Sequence, residues 1–172
     1  MSGARLYVCA LSKVAQTVRE SNAGSLITLL TAGSTIERPD MIAPERHLVL
    51  SLSDIDAPRE GHITPARAHV DRLLDFFDAW DRAAPLVIHC YAGVSRSPAA
   101  AYIALCALAP DRCETRLAQE LRRASPTATP NRKLIALADK RLGRSGRMNA
   151  AIRAIGRGAE CFEGAPFCLE IG

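Results

Sequence analysis

The chain has 172 residues, 48% of them hydrophobic and 23% charged, a length that suits one domain and an apolar content that excludes a disordered chain. No stretch approaches the ~20 apolar residues of a membrane span, and the early run from Leu6 to Leu11 is too short for a secretory leader. Lys and Arg number 22 against 18 Asp and Glu, a net charge of +4 that permits an anionic ligand without demanding nucleic acid; the expectation is a cytoplasmic domain with neither a membrane nor a nucleic-acid partner.

In chain order, residues 5–10 (RLYVCA) read as a strand. Ser12 is placed to cap a helix over 13–23, with Val14 and Val18 one turn apart and Gly24 as its stop. Residues 25–30 (SLITLL) and 47–52 (HLVLSL) read as two more strands. Between 53 and 63, Asp, Pro and Gly reach turn density, so this is a loop. Thr64-Pro65 then opens a helix, with Thr as N-cap and Pro at the first helical position. Val70, Leu73, Leu74, Phe77 and Trp80 give that helix an apolar face.

Residues 86–90 (LVIHC) form a short, continuously apolar run, the pattern of a strand buried on both faces of a parallel sheet. Pro98 to Leu108 is apolar nearly all round, so a central, buried helix is expected. Further helices fit 114–124 and 130–142, the latter with Thr129 as cap, Pro130 at the first position and Gly143 as stop. Strands alternating with helices predict an α/β fold: a central, mostly parallel sheet flanked by helices. Residues 1–142 read as the main domain. The Gly-rich tail, 143–172, is expected to pack on that domain or fray from it, with a short helix over 150–155.

The six cysteines stand at 9, 90, 106, 113, 161 and 168. None forms C-x-x-C and there are only four His, so no metal or cofactor is expected. Cys9 and Cys106 lie in apolar stretches and read as small core residues. Cys90 differs. It opens the stretch Cys90-Tyr91-Ala92-Gly93-Val94-Ser95-Arg96-Ser97, which joins the C-terminal end of a buried strand to the start of a buried helix. Ligands bind at that edge of an open α/β sheet. A loop there aims several backbone N–H groups at one point, and the helix dipole adds positive potential, making a cradle of about phosphate size. Gly93 supplies the conformational freedom such a turn needs. The cradle and Arg96 favour the thiolate of Cys90, the nucleophilic form. The planar guanidinium of Arg96 matches two oxygens of a phosphate. Ser97 is placed to donate to the sulfur, to cap the helix, or both, and His89 to orient the loop.

His89-Cys90, five residues, then Arg96-Ser97 at a strand–loop–helix junction resembles the signature loop of the cysteine-dependent protein tyrosine phosphatases. The short chain and the loop CYAGVSRS are most similar to the compact dual-specificity branch or its bacterial relatives, over roughly residues 5–142. The resemblance implies phosphomonoester hydrolysis through a cysteinyl-phosphate, on phosphotyrosine and in some members phosphoserine or phosphothreonine proteins or small phosphomonoesters. It also implies a general acid on an upstream loop. Asp54, directly after the strand HLVLSL, is the first choice for it and Asp56 the second. Tyr91, Ala92, Gly93, Val94 and Ser95 would line the substrate site, and Asn131 of the Pro130-Asn131 pair would support the loop or merely start a helix. A phosphoinositide phosphatase is the alternative on this scaffold, disfavoured because the loop interior holds no Lys. A phospho-binding adaptor is disfavoured because Cys, Arg and acid are all present.

Overall fold

The computed structural model describes residues 3–172. The apolar run expected at 86–90 is strand β4, Leu86–Cys90, and all five of its residues are buried. It lies at the centre of a five-stranded sheet with β1 (Ala4–Ala10), β2 (Ser25–Leu30), β3 (His47–Ser51) and β5 (Phe167–Ile171), in the order β3-β2-β4-β1-β5. β1, β2, β3 and β4 run parallel, and β5 alone is antiparallel, paired with β1. β2 is buried along all six residues, as a strand covered on both faces must be.

One face carries helix α1 (Val14–Ser21), whose Val14 and Val18 meet Cys9, Leu26 and Val87. The other face carries α2 (Arg67–Ala79), α3 (Arg96–Leu108), α4 (Glu114–Ala124), α5 (Arg132–Arg141) and α6 (Arg147–Ala154), around the larger core. α3 is buried from Arg96 to Cys106. Its small Ala99, Ala100, Ala101 and Ala104 let the helix approach the sheet closely, and this fixes where its N-terminus sits. Leu73 and Phe77 of α2 are essentially inaccessible; truncating such a side chain to Ala costs roughly 2–5 kcal/mol.

Several helix ends differ from expectation. Ser12 does not cap α1: Leu11–Lys13 form a 3-10 turn, and Ser12 Oγ donates 2.6 Å to Glu163 instead. α1 stops at Asn22, in the left-handed region at φ 52°, rather than at Gly24. α2 begins two residues after Pro65, with Ala66 as N-cap. Ala66 has no capping oxygen, so His69 takes the task. Its Nδ1 accepts from the Ala66 N–H at 3.0 Å, and its Nε2 donates to the carbonyl of Ser51 at 3.2 Å. α5 is capped by Asn131, whose Oδ1 accepts from Leu134 N at 3.0 Å, in place of Thr129. The N–H groups of Thr129 and Asn131 are bound elsewhere, to the carbonyls of Val94 and Ser95, which delays the start of the helix.

The tail holds α6 and β5. Asp139, buried in α5, accepts from the backbone N–H groups of Gly146 (2.7 Å), Met148 (2.7 Å) and Asn149 (3.2 Å), at the start of α6. Glu114 binds Arg144 at 3.1 Å and Arg147 at 3.0 Å. β5 is absent from the sequence expectation. Its FCLEI alternates, with Phe167, Leu169 and Ile171 buried against the core. No helix among the described residues is long and apolar enough to cross a membrane.

Candidate active site

β4 delivers His89 and Cys90 to the carboxyl edge of the sheet, where Cys90 is in register with Ala10 of β1. The chain then turns through residues 91–95 into α3. Gly93 makes the turn at φ 70°, and a Cβ there would lie 2.8 Å from Ala10 N and 2.9 Å from the carbonyl carbon of Cys9. No other residue fits both the backbone angle and the space.

Four carbonyls of the turn are held from outside it. Tyr91 O accepts from Leu11 N (3.0 Å), Ala92 O from Gly164 N (2.9 Å) and Val94 O from Thr129 N (2.8 Å). Ser95 O accepts from Ala99 N (3.1 Å) and Asn131 N (3.2 Å). In a trans peptide the N–H points opposite to the C=O. Pulling these carbonyls outward therefore turns the N–H groups of residues 92, 93, 95 and 96 toward the concave side, at the N-terminus of α3. The result is an anion cradle.

Cys90 lies at the base of the cradle, 2% exposed, with Sγ 3.1 Å from Ser97 Oγ. Burial pushes the thiol of Cys9 up to about 11 and that of Cys106 up to about 12, so both stay protonated and inert at neutral pH. Arg96 is 6% exposed. Its Nη1 donates to the carbonyl of Leu52 (2.9 Å) and to Thr31 Oγ1 (3.3 Å), while its buried Nε has no hydrogen-bond partner. Every partner of this buried cation is neutral. Burying a charge without a counter-charge costs several kcal/mol, so the guanidinium is set up for an anion.

His89 is fully buried, and desolvation, helped by His47 and Arg96, lowers its pKa to about 4. The imidazole is therefore neutral, and its bonds define one proton order. Nδ1–H donates to the carbonyl of Cys90 (3.2 Å), so Nε2 accepts from Thr28 Oγ1 (2.7 Å). The Thr28 oxygen then accepts from Nε2–H of His47 (2.8 Å). This chain crosses β3, β2 and β4 and fixes the peptide that follows Cys90.

Asp54 and Asn131 meet over the loop. Ser95 Oγ donates to Asp54 Oδ1 at 2.6 Å, and Asn131 Nδ2 donates to the same oxygen at 2.9 Å and to Ile55 O at 3.2 Å. Asp54 is exposed, and its Oδ2 has no hydrogen bond among the described residues. Asp56 is exposed two residues farther along, and its side chain makes no hydrogen bond among the described residues. Tyr91 stands at the rim, 59% exposed, and Ala92 and Val94 are half-buried.

Sequence reasoning missed the residues that brace the loop. Thr31 and Leu52 hold Arg96, and Thr28 and His47 hold His89. The tail closes the back: Gly164 binds Ala92, Gly158 N donates to Thr129 Oγ1 (3.1 Å), and Ala159 N donates to Pro126 O (2.9 Å). A Cβ on Gly158 would lie 2.4 Å from the carbonyl carbon of Thr127. The one signal in the sequence was the density of glycine in the tail. No cluster of three or more His, Cys, Asp or Glu able to hold a metal occurs among the described residues.

No family model matches the chain, and no curated protein matches it. Solved structures do. A mouse putative dual specificity phosphatase complexed with zinc tungstate aligns at TM-score 0.61 and 17% identity, covering 85% of this chain and 86% of that one. The Cydia pomonella PTP-2 phosphatase aligns at TM-score 0.61 and 21% identity, covering 78% and 84%. Human DUSP28 aligns at TM-score 0.61 and 17% identity, covering 81% and 92%. The alignments span most of both partners in each case: the chain has the fold of the compact dual-specificity phosphatases.

Proposed function

We propose that the chain is a cytoplasmic member of the cysteine-dependent phosphatases, and that it hydrolyses phosphomonoesters of tyrosine, serine or threonine side chains through a phosphocysteine on Cys90. The observation that carries this reading is Arg96: a buried guanidinium with only neutral partners and a free Nε, beside a ring of N–H groups and a cysteine. The fold, shared with solved phosphatase structures, supports it, and one of those is complexed with tungstate, a tetrahedral oxyanion like phosphate. Six free thiols fit a reducing compartment.

In this reading the phosphoryl group lies in the cradle, its oxygens bound by the loop N–H groups and by Arg96. Cys90 Sγ attacks phosphorus in line as the bond to the ester oxygen breaks. Asp54 Oδ1 is occupied by Ser95 and Asn131, so Oδ2 carries the proton and gives it to the leaving oxygen. Water then attacks the phosphocysteine, passing a proton to Asp54, and the S–P bond breaks. The hydroxyl of Ser97, 3.1 Å from Sγ, stabilises the departing thiolate. His89 holds the Cys90 carbonyl turned away from the anion. The positive field comes from fixed dipoles and one guanidinium, which cost no reorganisation during the reaction. Tyr91 at the rim offers a face for the ring of a phosphotyrosine.

The test is hydrolysis of p-nitrophenyl phosphate in a chelating buffer. The expected result is steady turnover, inhibited competitively by tungstate. Tungstate binding without turnover would make the chain a phospho-binding adaptor, and turnover only with added divalent metal would overturn the mechanism.

A further inference from the structure

Beside the cradle, on the side of Asp54 and Ser95, runs an open cleft of about 420 Å3. Three arginines line it: Arg132 at the start of α5, Arg153 at the end of α6, and Arg157 in the tail. All three are exposed. The side chains of Arg132 and Arg153 have no ion pair or hydrogen bond among the described residues. Arg157 reaches only Glu160, at 3.5 Å, with the two side chains 75% and 86% exposed, and a pair so solvated contributes little. The carboxylates in the cleft are Asp54, already bound to Ser95 and Asn131, and Asp56, which pairs with none of the arginines. Elsewhere, Arg46, Arg112, Arg141, Arg144 and Arg147 each meet a carboxylate. Here three cations converge on a concavity that opens directly onto the loop.

We propose, building on the phosphatase reading, that this cleft seats the residues flanking the phosphorylated side chain of a peptide, and that it selects an anionic one: a carboxylate, or a second phosphate on the same peptide. The position of the charge favours a peptide over a phosphoinositide. Extra phosphates on an inositol ring stand next to the one being removed, where the loop interior offers no cation besides Arg96. Extra charge on a peptide stands one or two residues away, at ~3.5 Å per extended residue, and the arginines lie outside the loop, along that path. The C-terminal tail would then set specificity through Arg153 and Arg157.

The experiment compares wild type with the charge-neutral variant Arg132→Gln/Arg153→Gln/Arg157→Gln. The substrates are phosphotyrosine peptides identical except for neighbours that are Asn and Gln, Asp and Glu, or a second phosphotyrosine. A short-chain phosphoinositide bisphosphate and p-nitrophenyl phosphate complete the panel. The readout is the ratio of kcat/KM between the anionic and the neutral peptides. At about 0.05 M ionic strength the wild type should favour the anionic peptides about tenfold, less as salt rises, and the variant should bring the ratio close to one. A larger gain from the second phosphate than from carboxylates would identify phosphate as the preferred anion; the reverse would identify an acidic side chain. A wild-type ratio near one, a ratio that survives in the variant, or faster hydrolysis of the phosphoinositide than of any peptide would overturn the inference while leaving the phosphatase reading standing. Failure to hydrolyse p-nitrophenyl phosphate would remove that reading and this inference with it.

Discussion

Two regions of the molecule gather charge, and they do so in opposite ways. At the seat of α6, Glu114 meets Arg144 and Arg147, and Asp139 accepts three backbone N–H groups. Each charge there is met by a partner within the chain. Burial pushes Glu114 up, but its own backbone N–H and the two arginines outweigh that and hold it below the usual carboxylate range. At the carboxyl edge of β4 the balance is left open: Arg96 has only neutral partners, its Nε has none, and Asp54 keeps one oxygen free. The first arrangement pins the tail to the domain. The second is complementary to a group that the chain itself does not supply. The difference is one of saturation: the carboxylates at the seat of α6 are met by cations or by three N–H donors, whereas the guanidinium of Arg96 keeps a buried N–H without an acceptor.

Substitutions should separate the two regions. Arg96→Lys keeps the charge but loses the planar fork, and kcat should fall about 10²- to 10³-fold in p-nitrophenyl phosphate assays, with thermal stability little changed. Asp54→Asn should lower kcat about 10- to 100-fold for alkyl phosphates, which leave poorly, and much less for p-nitrophenyl phosphate. Asp139→Ala should do the reverse. It strands three N–H groups at the start of α6 and should cost about 2–4 kcal/mol, read as a fall of several degrees in Tm, with kcat retained where the protein stays folded. An Asp139→Ala protein of normal stability, or one folded but inactive, would erase the contrast.

Acid titration should resolve the regions by pH. His89 has a folded pKa of about 4 against an ordinary value of 6.5, so the unfolded chain binds more protons between those values. Stability therefore falls as pH drops from 6.5 toward 4, and His47, also lowered by burial and by Arg38, adds to the same window. Glu114 is lowered from 4.5, so its contribution is present above that pH and is lost only below it. Tm of the wild type should decline from pH 6.5 downward, and His89→Gln should flatten the upper part of that decline.

Residues 89–97 are contiguous, and their types alone describe a strand end, a tight turn and a helix start. This convergence was legible because local chemistry dictates it. The buried strands and the Ala-rich α3 were legible for a similar reason, as their apolar runs leave few alternatives. Helix starts were less legible. Ser12 and Thr129 have the chemistry of caps, but Glu163 claims the first, and the Val94 carbonyl claims the N–H of the second. Such competition comes from residues distant in sequence. β5 was missed although its period-two alternation is present, because it is five residues long and follows a stretch of Gly and Pro. Gly158 and Gly164 could not be assigned to the loop by any local pattern, since their role is to let one backbone pass close to another.

The phosphocysteine itself is the sharpest test. Wild-type protein, mixed with p-nitrophenyl phosphate and quenched in acid within the first turnovers, would be digested and mapped by mass spectrometry. The expected result is one phosphoryl group on the peptide containing Cys90, absent after hydroxylamine-free chase to complete hydrolysis and absent in Cys90→Ser, which should also have lost turnover. A phosphoryl group on any other residue, or a Cys90→Ser protein that still turns over substrate, would contradict the assignment of the loop.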